Sequence, residues 1–229
     1  MFNQKQFLPL QPKVVLGVAA HPDDLDVIAG GTLAQFAQHG AQIHYLILTD
    51  GGKGSDDSSM TSAELTELRR AEQQVALEMV GGTSITFLDY PDGELENTLE
   101  LKKQIVKEIR RVKPDVVITM DPTVVYSASS GRINHPDHRA AGHATLDAVF
   151  PLARDRLAFP DLLTEGHDPH KVATVLLSNF DSNNFEVDIS DTYPIKLEAI
   201  KAHASQFSTE DSLDWVEIST ERFVRLDII

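Results

Sequence analysis

Cysteine is absent from this sequence of 229 residues. Its absence excludes disulfide bonds, thiol catalysis and every zinc site that depends on cysteine ligands. Any metal ion that the protein binds must therefore be held by His, Asp or Glu. Basic residues are few, since 20 Lys and Arg stand against 35 Asp and Glu, for a formal net charge of −15. Because nucleic acids and anionic membrane surfaces require a basic face, this balance argues against both as partners.

Long apolar runs are absent as well. No stretch of 18 apolar residues occurs, and the N-terminal MFNQKQFLPL lacks the apolar core of a signal peptide. We therefore expect a soluble, cytoplasmic protein. Hydrophobic residues make up 41% and charged residues 24% of the chain, which is ordinary for a globular protein. With no repeat and no clear linker, residues 1–229 are predicted to form a single domain.

An apolar run in residues 14–31 ends in a polar cluster. The run predicts a buried parallel strand, and His21, Pro22, Asp23 and Asp24 follow at its carboxyl end. Open α/β sheets bind their ligands at that end. Either Asp alone would most simply be a helix N-cap. Three metal- and proton-active side chains together, however, indicate a site of chemistry.

Strands and helices alternate along the first half of the chain. Periodicity predicts strands at 14–20, 43–49, 85–90 and 116–120, with helices at 26–38, 61–80 and 98–112 between them. This alternation indicates βαβ units. We expect an α/β fold, a Rossmann-like three-layer sandwich with a mostly parallel sheet and the active site at the carboxyl ends of the strands. The inward face of the helix at 61–80 is expected to carry Leu65, Leu68, Val75 and Met79.

The second half is less regular. A long loop at 121–134 leads into a second cluster, His135-Pro136-Asp137-His138, and a helix is predicted from there through 150. Residues 151–170 are expected to be irregular. Strands are predicted at 172–178 and 185–189, paired as a hairpin, then a helix from 191 to about 206 and a terminal strand from 217.

The two His-Pro-Asp clusters follow predicted parallel strands, so they should converge on one crevice. Zinc accepts His nitrogen and carboxylate oxygen, and a catalytic site keeps one position for water. His21, Asp24 and His138 could supply such a set of two histidines and one carboxylate.

These motifs, AHPDD followed about 115 residues later by HPDH, resemble those of the LmbE-like (PIG-L) family of zinc-dependent N-deacetylases. TDGGKG, LRRAE, FLDYPDGEL and AHASQF add to the resemblance, which spans residues 13–207. The resemblance implies removal of the acetyl group from an N-acetylglucosamine-type amino sugar or conjugate, by attack of metal-bound water. It also implies a bound Zn²⁺, with Fe²⁺ as the alternative ion in the cell. A homo-oligomer is compatible with the resemblance.

The family pattern implies a role for each matching residue. It makes His21, Asp24 and His138 the metal ligands and Asp23 the general base, with His135 stabilising the oxyanion or acting as an acid. Arg69, Asp92 and His203 are the predicted substrate-binding residues, with two alternatives: Arg69 contacts substrate or orders the site, and His203 lies on the substrate side or supports the site from behind. One departure stands at Ile133, where some members have a tyrosine that assists the tetrahedral intermediate.

Arg132 is the single cation of the loop at 121–134. Its guanidinium is expected to hold a carboxylate or phosphate of the substrate; the alternative is a solvated surface side chain.

Other functions fit parts of the pattern. A metal-binding protein without turnover would not need Asp23 or His135. An Fe(II) oxygenase usually carries its ligands on a β-barrel, and a nucleotide-binding Rossmann protein needs a glycine fingerprint that is missing here. A deacylase of another small amide stays open.

Overall fold

The computed structural model describes residues 10–128, 130–179, 181–207, 213, 216 and 219–228. Its strands are β1 Val14–Ala19, β2 Gln42–Thr49, β3 Ser84–Tyr90, β4 Val116–Met120, β5 Tyr126–Ser127, β6 Arg132–Ile133, β7 Thr174–Ser178, β8 Phe185–Asp188 and β9 Thr220–Asp227. Its α-helices are α1 Asp24–Gln38, α2 Ser62–Val80, α3 Leu99–Val112, α4 Pro136–Asp147, α5 Pro160–Thr164 and α6 Tyr193–Ala202. In this part of the chain, no helix is both long and apolar enough to cross a membrane.

Seven of the described strands form one sheet in the order β3-β2-β1-β4-β7-β9-β8. The strands from β3 to β7 run parallel, and β9 and β8 are antiparallel to their neighbours. Successive β1 side chains enter different cores: Val15 belongs to the core that contains Leu33 of α1, and Leu16 to the core that contains Ile105 of α3. The sheet therefore lies between two helical layers, and the predicted α/β fold is confirmed.

Strand order decides where the two polar clusters meet. β1 pairs with β2 on one side and with β4 on the other. The carboxyl ends of β1 and β4 are therefore neighbours at one edge of the sheet. The first cluster follows β1 directly, and the second follows β4 after the loop at 121–134, which contains the short antiparallel pair β5 and β6.

The predicted hairpin between β7 and β8 is wrong. β9 lies between these two strands and pairs with both. β7 is buried at four of its five residues, as expected for a strand with neighbours on both sides. β8 alternates between exposed and more buried residues, which suits a strand at the sheet edge. Nearness in sequence favoured the hairpin, but the last strand of the chain takes the position beside β7.

The predicted inward face of α2 is also wrong, although the first and last residues of the helix agree with the prediction to within one residue. Leu65 is buried, whereas Leu68, Val75 and Met79 are 40%, 45% and 43% exposed. The buried face instead carries three polar residues besides apolar ones, namely Arg69, Glu72 and Gln73 with Leu65, Ala76, Leu77 and Val80. Apolar periodicity fails here because the polar side chains on this face bond to other segments of the chain.

The irregular stretch after α4 is held by a buried arginine. Helix α4 ends at Asp147, three residues before the predicted limit, and the chain kinks in 148–152, where the backbone of Phe150 is extended. The guanidinium of Arg110, on α3, donates to four backbone carbonyls in this region, those of Leu152, Ala153, Asp155 and Ala158. These bonds replace regular secondary structure as the means of satisfying the backbone.

Candidate metal centre and active site

The polar cluster after β1 is anchored on both sides. The carbonyl of Ala20 accepts hydrogen bonds from the backbone N–H and from Oγ1 of Thr49, each at 2.8 Å. The N–H of His21 donates to Oδ2 of Asp24, the first residue of α1, at 2.7 Å. His21 therefore leaves the carboxyl edge of the sheet with its backbone fixed.

Three carboxylates surround the buried His21 imidazole. Its Nε2 lies 3.1 Å from Oδ1 of Asp92 and 3.3 Å from Oδ2 of Asp137, and its Nδ1 lies 3.4 Å from Oδ2 of Asp24. Burial lowers the pKa of His21, but the bonds to Asp137, Asp24 and Asp92 outweigh it and raise that pKa to about 12. One ligand atom from each of His21, Asp92 and Asp137 lies within 4.8 Å of the others. Carboxylates gathered in this way favour a cation among them.

Asp24 joins His21 to His138. Its Oδ1 lies 3.1 Å from Nε2 of His138, while its Oδ2 faces His21. Burial raises the pKa of Asp24, but the two histidines hold that pKa well below its usual range. Ring nitrogens of His21, His135 and His138 also lie within 4.8 Å of one another. Imidazole nitrogen and carboxylate oxygen without cysteine form a donor set that fits zinc or iron(II).

Helix α4 brings the second cluster to the first. His135 caps the helix, and its Nδ1 accepts the N–H of Asp137 at 3.2 Å. Gly142 allows α4 to lie directly on the end of β4, because a Cβ there would be 2.3 Å from the carbonyl oxygen of Met120. The ring centroid of His135 consequently lies 4.7 Å from that of His21.

Asp23 forms its ion pair with an arginine. Its side chain is 15% exposed, and its Oδ2 lies 3.2 Å from the guanidinium of Arg69. Burial and the neighbouring Asp24 raise the pKa of Asp23 to about 6, against the opposing effect of Arg69. A carboxyl group with this pKa can exchange protons near neutral pH.

Two of the residues predicted on the substrate side lie in the cluster. The Arg69 guanidinium is buried and donates to the backbone carbonyls of Pro22, at 2.6 Å, and Gly51, at 2.9 Å, besides contacting Asp23. Asp92 bonds to His21 and accepts the N–H of Lys53 at 3.1 Å. Arg69 thus orders the loops after β1 and β2.

The other two lie elsewhere. His203 is 0% exposed, and its Nε2 lies 2.9 Å from Oδ2 of the buried Asp26, so the structure places it behind the cluster. Arg132 is exposed on β6 and lines a cavity of about 470 Å³, which Asn179 and Lys196 also line. This cavity lies beside Ser178, at the carboxyl end of β7.

Sequence reasoning left three buried residues of this region without a role. Asp137 contacts His21 and accepts the N–H groups of Gly93, at 2.7 Å, and Leu95, at 3.2 Å. Gln73 and Asp26 bond to each other beneath Asp23. Asp137 stands inside HPDH, and Gln73 lies four residues after Arg69, one helical turn away, so each had a local signal; the role of Asp26 depends on partners distant in sequence.

The geometry agrees with comparisons to known proteins. The profile of the family described as "PIG-L: GlcNAc-PI de-N-acetylase" matches residues 16–149. The chain is 37% identical to a diacetylchitobiose deacetylase of Thermococcus kodakarensis, over 85% of the chain and 70% of that protein. It is 29% identical to a protein of Bacillus anthracis named "Probable N-acetyl-alpha-D-glucosaminyl L-malate deacetylase 2", over 86% of the chain and 82% of that protein. The N,N'-diacetylchitobiose deacetylase structure from Pyrococcus horikoshii superposes with a TM-score of 0.85 at 29% identity, covering 94% of this chain and 84% of that one.

Proposed function

Because the chain belongs to the PIG-L family of GlcNAc-PI de-N-acetylases, we propose that it is a metal-dependent hydrolase of amino sugars. Its reaction would remove the acetyl group from an N-acetylglucosamine-type sugar or conjugate. The observation that carries this proposal is the approach of His21, Asp24 and His138 to one another, beside a carboxylate, Asp23, that is held by arginine instead of histidine. Deacetylases of N-acetylated sugars among the relatives support it.

We assign the metal to His21, Asp24 and His138, with Zn²⁺ as the proposed ion and Fe²⁺ as the alternative in the cell. When bound there, such an ion supplies a Lewis acid that polarises the amide carbonyl and lowers the pKa of a water molecule. Asp24 contacts both histidines, so its carboxylate lies where it could bind the same ion as His21 and His138. Asp92 and Asp137 lie on the other nitrogen of His21 and hold the ring in place.

Asp23 is assigned as the general base. It takes a proton from the attacking water and passes it to the amide nitrogen as the C–N bond breaks, which releases acetate and a free amine. The raised pKa of Asp23 suits both transfers, because the group can accept a proton near neutral pH and can also release it. A hydrogen bond from the Arg69 guanidinium holds the carboxylate in place.

His135 is assigned to the developing oxyanion. Burial and the neighbouring His21 and His138 lower its pKa, so the ring is neutral near pH 7. Since its Nδ1 accepts the N–H of Asp137, the proton is assigned to Nε2, which can then donate to the oxyanion. The neutral His135 imidazole can donate this hydrogen bond without a negatively charged partner of its own.

The test is acetate release from N-acetylglucosamine, N,N'-diacetylchitobiose and the malate conjugate of N-acetylglucosamine. We expect the purified protein to release acetate from at least one of them, to lose this activity after treatment with a chelator, and to recover it when Zn²⁺ or Fe²⁺ is added back. A metal-containing protein that releases no acetate from any of the three would contradict the proposal and favour metal binding without turnover.

We further propose that Arg132 binds an anionic group of the substrate. Arg132→Ala should raise KM for the malate conjugate while KM for neutral N-acetylglucosamine stays the same. The expected cost is about 1.5–3 kcal/mol, or roughly 10- to 150-fold in KM, as for a hydrogen bond to a charged group. Arg156→Ala, which removes an exposed arginine from the stretch after α4, is the control. Equal changes in KM for both substrates, or no change for either, would contradict the proposal and favour a solvated Arg132 without a role in binding.

A further inference from the structure

Asp23 has an unusual backbone conformation. Its φ is 103° and its ψ is −35°, in a region that residues with a side chain rarely adopt. Its carbonyl accepts the N–H groups of Asp26 and Val27, in the first turn of α1. Strain of this kind persists where the surroundings hold the residue in place. The carboxylate direction of Asp23 therefore depends on what holds its backbone.

Gln73 holds the N–H of Asp23. Its Oε1 accepts this N–H at 2.8 Å, and its Nε2 donates to Oδ2 of Asp26 at 2.7 Å. An ionised carboxylate can only accept hydrogen bonds, so Asp26 fixes which end of the Gln73 amide faces Asp23. Gln73 and Asp26 are both 0% exposed, so bulk water does not compete for either bond.

Asp26 is itself oriented from two further elements. Its Oδ1 accepts the hydroxyl of Tyr45, on β2, at 3.1 Å, and its Oδ2 lies 2.9 Å from Nε2 of His203, just after α6. The side chain of Asp26 thus has donors from α2, β2 and the end of α6. A buried carboxylate with three donors is satisfied and rigid. This contact explains why His203 is buried behind the site.

We propose that Gln73 is a positioning residue for Asp23, set in turn by Asp26, Tyr45 and His203. This inference rests on the proposed role of Asp23 as the base. Arg69 and Gln73 lie one turn apart on α2 and divide the task, since Arg69 holds the carboxylate and Gln73 holds the backbone. Without the bond to Gln73, Asp23 can relax toward a common backbone conformation, which turns its carboxylate away from the attacking water.

The first test is Gln73→Leu, which keeps the volume and removes both bonds. We expect kcat to fall about 10- to 100-fold, the effect of a displacement of about 1 Å, with KM and metal content unchanged. Gln74→Leu is the matched control, because Gln74 is exposed on the same helix and bonds to Glu78. Unchanged kcat in Gln73→Leu would overturn the proposal.

A double-mutant cycle separates positioning from a general structural effect. If Gln73 acts through Asp23, Gln73→Leu should change kcat by less than about twofold in an Asp23→Asn background. The same fold-loss in both backgrounds would contradict the proposal. Gln73→Glu should be impaired by repulsion from Asp26. Adding Asp26→Asn removes this repulsion and should restore activity in part, because the introduced carboxylate can accept from both the Asp23 N–H and the new amide. The new amide also faces His203, so this bond requires the His203 tautomer that accepts at Nε2.

A readout without turnover keeps this inference separate from the proposed activity. A crystal structure of Gln73→Leu should show Asp23 at negative φ, and the double variant Gln73→Glu with Asp26→Asn should restore the positive φ. An unchanged positive φ in Gln73→Leu would overturn the positioning role even if the protein released no acetate from any substrate tested. Conversely, an inactive wild-type protein with the expected shift in φ would contradict the proposed function alone.

Discussion

Asp23→Asn should lower kcat by roughly 10²–10⁴-fold, the usual contribution of general acid–base catalysis, while the protein keeps its metal. Asparagine has the shape of aspartate but cannot take a proton from water. The bond that orders residue 23 from Gln73 goes to the backbone N–H, so it survives the substitution. We expect metal binding to be retained because Asp23 contacts Arg69, whereas Asp24 contacts both proposed histidine ligands. Asp57→Asn, in the exposed loop after β2, removes the same charge and should change neither quantity.

Asp23→Asn should also change the pH dependence of kcat/KM. Only the ionised carboxylate of Asp23 can act as the base, so kcat/KM should fall as pH decreases through the pKa of Asp23. That pKa is about 6 without the metal, and a bound cation moves it lower, so the acidic limb should lie at pH 6 or below. Asp23→Asn should lack this limb. An active but metal-poor Asp23→Asn protein would show that the roles of Asp23 and Asp24 are exchanged.

The fold was predictable to a large extent because its parallel strands and helices leave local signals. β1, β2, β3 and β4 were predicted to within one residue at each end, since each is a short apolar run between turn residues. The place of β9 was not predictable in this way. It depends on which strand edge stays open after the chain has passed through 151–192, and no local pattern carries that information.

The candidate site shows the same division between local and distant signals. The convergence of His21 and His138 was predictable because each stands in a dense motif after a strand. The structure shows that the two strands, β1 and β4, are neighbours. The assigned roles stay predictions. Apolar periodicity does not reveal Gln73, because the inward face of α2 is polar near the site. The sequence leaves open whether His203 contacts substrate or supports the site from behind, because its partner Asp26 is 177 residues away.

His138→Ala and Asp24→Ala should each lose most of the bound metal and with it the activity. The wild-type protein should hold about one divalent ion per chain, as expected for a mononuclear catalytic site. Either substitution removes one of three proposed ligands, and alanine offers no atom to replace it. Elemental analysis of protein purified without oxygen measures the loss and also distinguishes zinc from iron. His143→Ala changes an exposed histidine of the same helix and should leave the metal in place.

One further variant decides between two donor sets that share His21 and His138. Nitrogens of His21, His135 and His138 lie within 4.8 Å of one another, so His135 could take the place that we assign to Asp24. Under our assignment, His135→Ala loses activity but keeps its metal, and Asp24→Ala loses the metal. The opposite result would identify three histidines as the ligands. The pKa of His21 is raised to about 12 without metal, so either set must displace a proton from this ring, and the raised pKa of His138 adds a second proton at lower pH. Metal affinity should therefore increase with pH by at least roughly tenfold per unit. An affinity that does not change between pH 6 and 8 would show that metal binding displaces no proton, and would contradict a protonated His21 in the metal-free protein.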